Sequence, residues 1–198
     1  MTQLVLASAS TARAALLERA GVEILRDPAD IDEAEIKAGF RRAGRDAAGC
    51  AMALAEAKSA RVAARHPAAL VLGADQLLVC GEAWLDKPAD LAAARRQLQE
   101  LRGQRHELVT AAAVMCDGAV VWRRIERPVL TMRSFSDAFL DAYLAICGPA
   151  VLGAVGAYQL EARGVQLFAR IEGDYFSILG LPLLPLLDFL RGAGALAA

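Results

Sequence analysis

Hydrophobic residues follow two patterns in this chain: short continuous runs, and longer runs with helical spacing. Residues 4–7 are apolar at every position, which is typical of a buried strand. Leu91, Ala94, Leu98 and Leu101 lie three or four positions apart, which predicts an amphipathic helix. Applied along the chain, these patterns predict strands at 4–7, 22–25, 69–74, 107–115, 120–132 and 165–171, a hairpin over 77–85, and helices at 11–20, 33–44, 47–65, 89–101, 137–146 and 183–191.

Turn and cap residues mark the ends of several predicted elements. Ser10 and Ser136 each precede a helical run, where a hydroxyl group caps the first N–H groups. Asp117-Gly118 separates two apolar runs, which predicts a tight hairpin, and Gly103 marks a helix end. The Gly-, Ala- and Val-rich residues 148–156 are expected to form a flexible connection.

The order of these elements predicts an α/β protein with one mixed sheet flanked by helices. We expect one domain over residues 1–192 and a frayed tail over 193–198. A chain of 198 residues that is 56% hydrophobic has enough apolar side chains to bury a full core.

Charge, cysteines and the N-terminus narrow the function classes. A net charge of -1 gives no general attraction to nucleic acid or to a membrane. The four cysteines are spread singly, so we do not expect a zinc site. We expect them to be reduced thiols in a cytoplasmic protein. The N-terminus lacks a basic segment before its short apolar run, which argues against a signal peptide.

The first candidate for chemistry lies between strand 4–7 and the helix after it. Ser8, Ser10 and Arg13 stand there, and a strand that turns through hydroxyl residues into a helix start is suited to bind an anion. Arg13 would add a formal positive charge. The alternative is a capped helix with a surface arginine.

Three acidic residues, Asp75 and the pair Asp32-Glu33, form the second candidate. Asp75 follows the apolar strand 69–74, where a carboxylate is costly unless it is paired or bound to metal. The alternative is a turn aspartate that accepts backbone N–H groups. Asp32-Glu33 is either a metal-binding pair or two acids at a helix start. Together with Lys87, whose loop is stiffened by Pro88, these groups suggest a metal-assisted reaction on phosphate.

Several common catalytic classes lack their motifs in this chain. There is no G-x-x-x-x-G-K-[ST] phosphate loop, no G-x-G-x-x-G after a strand and no G-x-S-x-G elbow. His66 and His106 show neither a metal spacing nor a base–nucleophile arrangement, so we treat both as structural. Asp174 lies in a predicted turn, with support of the active site as the alternative.

Nine short strings stand in a characteristic order and spacing between residues 4 and 190. They are 6–10 with Arg13, Leu16 and Leu17; Asp32-Glu33; Ala57-Lys58; Gly73–Gln76; Lys87-Pro88; Leu101, Gly103, His106 and Thr110; Gly156–Tyr158; 171–175; and 180–183. Taken together, the strings resemble the Maf family of nucleotide pyrophosphatases.

The resemblance implies hydrolysis of a nucleoside triphosphate to a monophosphate and pyrophosphate with a divalent metal, normally Mg²⁺. It also implies an elongated α/β fold with two lobes around a deep nucleotide-binding cleft, homodimers, and a house-cleaning role against non-standard nucleotides, with a link to arrest of cell division. The positions that match the family's functional residues are Ser8, Arg13, Glu33, Lys58, Asp75 and Lys87.

The implied roles agree with the chemistry of these side chains. Arg13, Lys58 and Lys87 would neutralise the triphosphate. Glu33 and Asp75 offer the hard oxygen ligands that Mg²⁺ prefers, and Asp75 is instead, or also, a candidate general base.

Two further positions concern the base. Gln76 and Glu161 stand where the pyrimidine-acting members have Thr and Gln, and the pair resembles the branch acting on 7-methyl-GTP. A carboxylate at Glu161 would accept both donors of a guanine edge. The alternative is that Glu161 pairs with Arg163 or Arg170. Ala12 stands where the family often has Arg or Trp, which bears on substrate preference.

Two alternative functions remain at this point. One is a pyrophosphatase of the pyrimidine type, acting on dTTP or UTP. The other is a non-catalytic nucleotide-binding regulator of cell division, which the intact set of Glu33, Lys58, Asp75 and Lys87 argues against.

Overall fold

The computed structural model describes residues 2–197, which form an α/β fold. The elements in chain order are β1 (Leu4–Leu6), α1 (Thr11–Arg19), β2 (Ile24–Arg26), α2 (Glu33–Arg42), α3 (Ala47–Ala63), β3 (Leu70–Cys80), β4 (Ala83–Leu85), α4 (Leu91–Leu101), β5 (Arg105–Cys116), β6 (Ala119–Glu126), β7 (Val129–Met132), α5 (Asp137–Cys147), β8 (Phe168–Glu172), α6 (Tyr175–Ile178) and α7 (Leu183–Gly192).

The strands form one mixed sheet of eight, in the hydrogen-bonded order β2-β1-β3-β5-β7-β8, with β4 on β3 and β6 on β5. β1 pairs in parallel with both β2 and β3. The pairings of β4 with β3, of β6 and β7 with β5, and of β8 with β7 are antiparallel. The predicted α/β class and mixed sheet are confirmed.

The chain divides into two compact units. The first contains the residues up to Gln76, Thr110–Glu126 and the residues from Gly180 onward. β1 and the first half of β3 are buried on both faces, which explains the continuous apolar runs at their positions, whereas β2 at the edge of the sheet is partly exposed. One core cluster of this unit is formed by Val5, Ala7, Val62, Ala69 and Val71.

The second unit contains Leu77–Val109 and Arg127–Leu179. Its core joins the apolar stripe of α4 to the inner faces of β5, β7 and α5. Leu98, Leu130 and Leu140 are fully buried there. Tyr143 and Tyr158 pack into the same cluster, so this core contains polar groups that must find partners.

The turns and caps that depend on neighbouring residues lie where the sequence predicts them. The Oγ of Ser10 accepts a hydrogen bond from the Arg13 N–H at 3.3 Å, and the Oγ of Ser136 accepts one from Phe139 at 3.1 Å. Asp117 and Gly118 have φ of 48° and 75° between paired Cys116 and Ala119, as the predicted tight hairpin requires.

Three predicted strands differ from the observed ones by three residues or more, and the strand predicted at 22–25 is observed at Ile24–Arg26. The strand predicted at 69–74 continues to Cys80, so Asp75 and Gln76 lie inside it. The strand predicted at 120–132 is interrupted before β7, since Pro128 offers no N–H to the ladder. The strand predicted at 165–171 begins later, at Phe168, after a 3-10 turn over Arg163–Leu167.

The stretch predicted as a flexible connection, 148–156, is built mainly of two 3-10 turns, Gly148–Gly153 and Val155–Ala157. In the tail, the N–H groups of Ala195 and Leu196 bond to the Leu190 carbonyl, and residue 198 lies outside the described residues. The single-domain boundary at 192 stays a prediction. Within residues 2–197, no helix combines the length and apolar character needed to cross a bilayer.

Candidate active site

The centre of the candidate site is the ammonium group of Lys58, which joins two carboxylates. Lys58 Nζ donates to Asp75 Oδ1 at 2.5 Å and lies 2.8 Å from Glu33 Oε1. Lys58 and Asp75 are buried, with 6% and 5% of their surface exposed, whereas 44% of the Glu33 side chain is exposed. Three residues that are distant in sequence therefore form one charge cluster that opens to solvent on the Glu33 side.

A close approach of α3 to β3 brings Lys58 to Asp75. A Cβ atom on Gly73 would collide with the Ala55 carbonyl oxygen and lie 2.8 Å from the Ser59 nitrogen. Gly73 and Asp75 share a strand face, and Ala55 and Lys58 share a helix face. The close contact of Gly73 with Ala55 therefore brings Lys58 within hydrogen-bond distance of Asp75.

The strand extension corrects our prediction that Asp75 ends a strand or lies in a turn. Asp75 is in the middle of β3, with Leu77 and Leu78 continuing the strand. A buried carboxylate is tolerated there because Lys58 neutralises it.

The acidic pair at the start of α2 has two separate functions in the structure. Asp32 is the N-cap, and its Oδ1 accepts a hydrogen bond from the Glu35 N–H at 2.9 Å. Glu33, the next residue, contacts Lys58 instead. The structure thus assigns one acid to helix capping and the other to the charge cluster.

Arg13 is held in place by the turn that precedes α1 and by a distant carbonyl group. Its Nη1 donates to Ser8 Oγ at 3.2 Å, and its Nε donates to the Gly180 carbonyl at 2.8 Å. Ser8 Oγ also accepts from the Ser10 N–H at 3.2 Å. The serine hydroxyls of the predicted anion site are therefore used to order the loop and the arginine.

Arg13 is 8% exposed, so it is a buried arginine rather than the surface arginine of the alternative. Burial lowers the pKa of its guanidinium, whereas the nearby charges of Asp75 and Glu33 raise that pKa. Because arginine stays protonated in proteins, a fixed positive charge stands close to the Lys58 cluster.

Gln76 lies next to Asp75 in β3 and is anchored by a buried hydroxyl. Its Nε2 donates to Thr110 Oγ1 at 2.8 Å, and Thr110 is fully buried in β5. Since consecutive strand residues face opposite sides, Gln76 and Asp75 project to different faces of the sheet.

The two remaining predicted residues belong to the second unit. Lys87 is exposed in the loop between β4 and α4, and Glu161 is exposed in the turn before the third 3-10 turn. Within the described chain Glu161 forms no ion pair with Arg163 or Arg170, and Arg170 is paired with Glu172 at 2.9 Å. The alternative interpretation, in which Glu161 pairs with one of these arginines, is therefore not supported.

The carboxylate oxygens of Glu33 and Asp75 suit a divalent cation that takes its remaining ligands from water and from substrate phosphates. No cluster of three or more His, Cys, Asp or Glu side chains with metal-binding geometry occurs among residues 2–197. Glu33 and Asp75 nevertheless converge on one cationic atom, Lys58 Nζ. Two carboxylates, with water and phosphate oxygens, are the usual environment of Mg²⁺ in phosphate chemistry.

Sequence reasoning missed several supporting groups. The Gly180 carbonyl and Thr110 lie in strings that resemble the family, but nothing local indicated that they bind Arg13 and Gln76. Asp174, for which support of the site was the alternative, is the N-cap of α6 and accepts from Ser177 N–H at 2.7 Å.

Comparison with known proteins covers nearly the whole chain. The family described as Maf-like protein matches residues 3–193. A nucleoside triphosphate pyrophosphatase of Granulibacter bethesdensis is 52% identical over 194 residues, covering 98% of both chains. One from Paramagnetospirillum magneticum is 53% identical over 191 residues, covering 96% of this chain and 98% of its own. A 7-methyl-GTP pyrophosphatase of Mesorhizobium japonicum is 46% identical over 194 residues, covering 98% of both.

Proposed function

Because this chain belongs to the Maf family, we propose that it is a nucleoside triphosphate pyrophosphatase, a hydrolase that cleaves the acid anhydride bond between the α and β phosphates. Water adds to the α-phosphorus, the bond to the bridging oxygen breaks, and pyrophosphate leaves from a nucleoside monophosphate. The observation that carries this proposal is the Lys58 ammonium between Asp75 and Glu33, beside the buried charge of Arg13.

The cationic side chains bind the triphosphate and stabilise its developing charge. Only Nε and Nη1 of Arg13 bond to described residues, so the N–H groups of Nη2 remain for a phosphate oxygen. Lys58 is held by two carboxylates before substrate arrives, so it needs little reorganisation during the reaction. Lys87, exposed on its loop in the second unit, is the third cation that we assign to phosphate binding, a role that the family resemblance implies.

Asp75 has one oxygen fixed and one available. Its Oδ1 accepts from Lys58, while Oδ2 has no partner among the described residues and serves to orient water, to take its proton or to bind a metal. Glu33 and Asp75 would hold a divalent cation, which fits Mg²⁺ by donor type. When bound, that cation would stabilise charge on the α-phosphate and activate the water.

The test of the reaction is pyrophosphate release from purified protein with Mg²⁺. Asp75→Asn is expected to lower turnover by ~10²–10⁴ while the protein stays folded, because Lys58 keeps Glu33 as its partner. Asp117→Asn is the matched control, since asparagine suits the same tight turn. Near-normal turnover in Asp75→Asn would remove the assigned role and favour a non-catalytic nucleotide binder.

For the substrate, we propose a triphosphate with an N7-methylated guanine base. Glu161 is exposed and carries a carboxylate without an ion pair in the described chain, which suits the two donors of a guanine edge and the positive charge of the methylated ring. The name 7-methyl-GTP pyrophosphatase carried by the Mesorhizobium japonicum relative supports the same class.

The substrate test compares kcat/KM for 7-methyl-GTP, GTP, UTP and dTTP. Glu161→Gln replaces one acceptor with a donor, so the guanine preference is expected to fall by roughly tenfold to hundredfold. Glu172→Gln, which alters an acid paired with Arg170, is the control. A wild-type preference for UTP or dTTP would overturn the base assignment and leave the reaction itself standing.

A further inference from the structure

The loop that carries Lys87 is tied to α4 by a glutamine that the proposed mechanism does not use. Gln97 Nε2 donates to the Asp86 carbonyl oxygen at 2.6 Å. That carbonyl belongs to the peptide group joining Asp86 to Lys87, so the bond fixes the orientation of the backbone immediately before the lysine.

The other side of Lys87 is restrained as well. Pro88 follows directly and is buried, and a residue before proline is confined to extended conformations. Two residues further on, Asp90 caps α4 by accepting a hydrogen bond from Ala93 N–H at 2.6 Å. The backbone of Lys87 is therefore held between a hydrogen-bonded peptide group and a buried ring that leads into a capped helix.

Gln97 occupies an unusual position on α4. Ala94, Leu98 and Leu101 are fully buried on this helix, and Gln97 borders their stripe, where an apolar side chain would pack. Its Oε1 is buried and accepts no hydrogen bond from the described residues. Reversing the amide would place that oxygen against the Asp86 carbonyl, which is repulsive, so the observed orientation is the favourable one. A buried amide oxygen without a partner is unfavourable for folding, which points to a functional reason for the glutamine.

We propose that Gln97 is a positioning residue for Lys87, and that it sets the reach of the Lys87 ammonium to the phosphates of the substrate. The proposal rests on the role given to Lys87 in the proposed function. A lysine side chain has four rotatable bonds, so the placement of its Cα decides whether the ammonium meets its target in the transition state.

The decisive variant is Gln97→Met, which keeps the length and helix propensity of the side chain but removes the N–H donor. We expect kcat/KM to fall by about tenfold, with kcat affected at least as much as KM. The melting temperature is expected to stay equal or to rise, because the unpartnered oxygen is gone. Gln99→Met is the matched control on the same helix, since Gln99 donates only at 3.5 Å to Asp137 Oδ1.

A double-mutant cycle with Lys87→Ala separates the possible failures. If Gln97 acts through Lys87, Gln97→Met has no further effect on kcat/KM in the Lys87→Ala background. An equal effect in both backgrounds, or a lower melting temperature that accounts for the lost activity, would overturn the positioning role. If Lys87→Ala alone leaves kcat/KM unchanged, the role of Lys87 falls and the inference falls with it. A wild-type protein that releases no pyrophosphate would instead refute the proposed function.

Discussion

Lowering the pH is expected to destabilise this protein through one buried histidine. His106 is 2% exposed, and its Nε2 lies 2.9 Å from the hydroxyl of Tyr158. Its Nδ1 is buried and has no partner among the described residues. Burial lowers the pKa of His106 from 6.5 to about 4, so the folded protein contains a neutral imidazole.

The sign and the size of the effect follow from this shift. Above pH 6.5 the ring is neutral in both the folded and the unfolded chain, so the free energy of unfolding has its full value. Between pH 6.5 and about 4 the unfolded chain binds a proton that the folded chain does not, so stability falls as pH falls. The full shift corresponds to about 3 kcal/mol, of which about 2 kcal/mol is lost by pH 5.

The assay is urea unfolding at pH values from 7.5 to 4.5, followed by circular dichroism. His106→Phe is expected to remove about one proton from the pH slope of the unfolding free energy between 6.5 and 5, whatever its absolute stability. Leu108→Ala is the control: Leu108 is buried in the same strand and has no titratable group, so this variant loses stability but retains the slope. Identical slopes in wild type and His106→Phe would refute the assignment of a neutral buried ring.

Three further substitutions test the contacts around the site. Gly73→Ala is expected to lower the free energy of unfolding in urea by about 1–3 kcal/mol, because its Cβ would meet the Ala55 carbonyl. Its control, Gly39→Ala, lies in open space on a helix and should raise that free energy by up to about 1 kcal/mol. Arg13→Ala is expected to raise KM for the triphosphate by about tenfold or more, and an unchanged KM and kcat would make it a purely structural residue. Gly180→Ala, at φ +101° with its Cβ 3.3 Å from Arg13 Nε, should reproduce part of that KM rise.

Much of the local structure could be predicted from the sequence, because caps and turns depend on residues close together in the chain. A serine hydroxyl reaches an N–H three residues away, as Ser10 does for Arg13. Asp117-Gly118 adopts its tight turn through its own backbone preferences. The strings that resemble the family also indicated which charged residues are candidates for the site, although the roles of these residues stay predictions.

The sequence could not predict how far the central strand runs. An acidic residue after six apolar ones is typical of a strand end, and this led to the wrong placement of Asp75. β3 continues because a lysine from α3 neutralises the carboxylate. No pattern within the strand contains that information.

Sequence alone therefore determined the α/β class and the family resemblance, and it supplied the candidate site residues, whose roles stay predictions. The tertiary structure decided what those charges do in the folded chain. Lys58 and Asp75 are separated by 17 positions, and Arg13 and Gly180 by 167, yet each pair is in hydrogen-bond contact. Such contacts depend on the packing of whole elements, here the glycine that lets α3 approach β3, and packing is a property of the assembled core rather than of neighbouring residues.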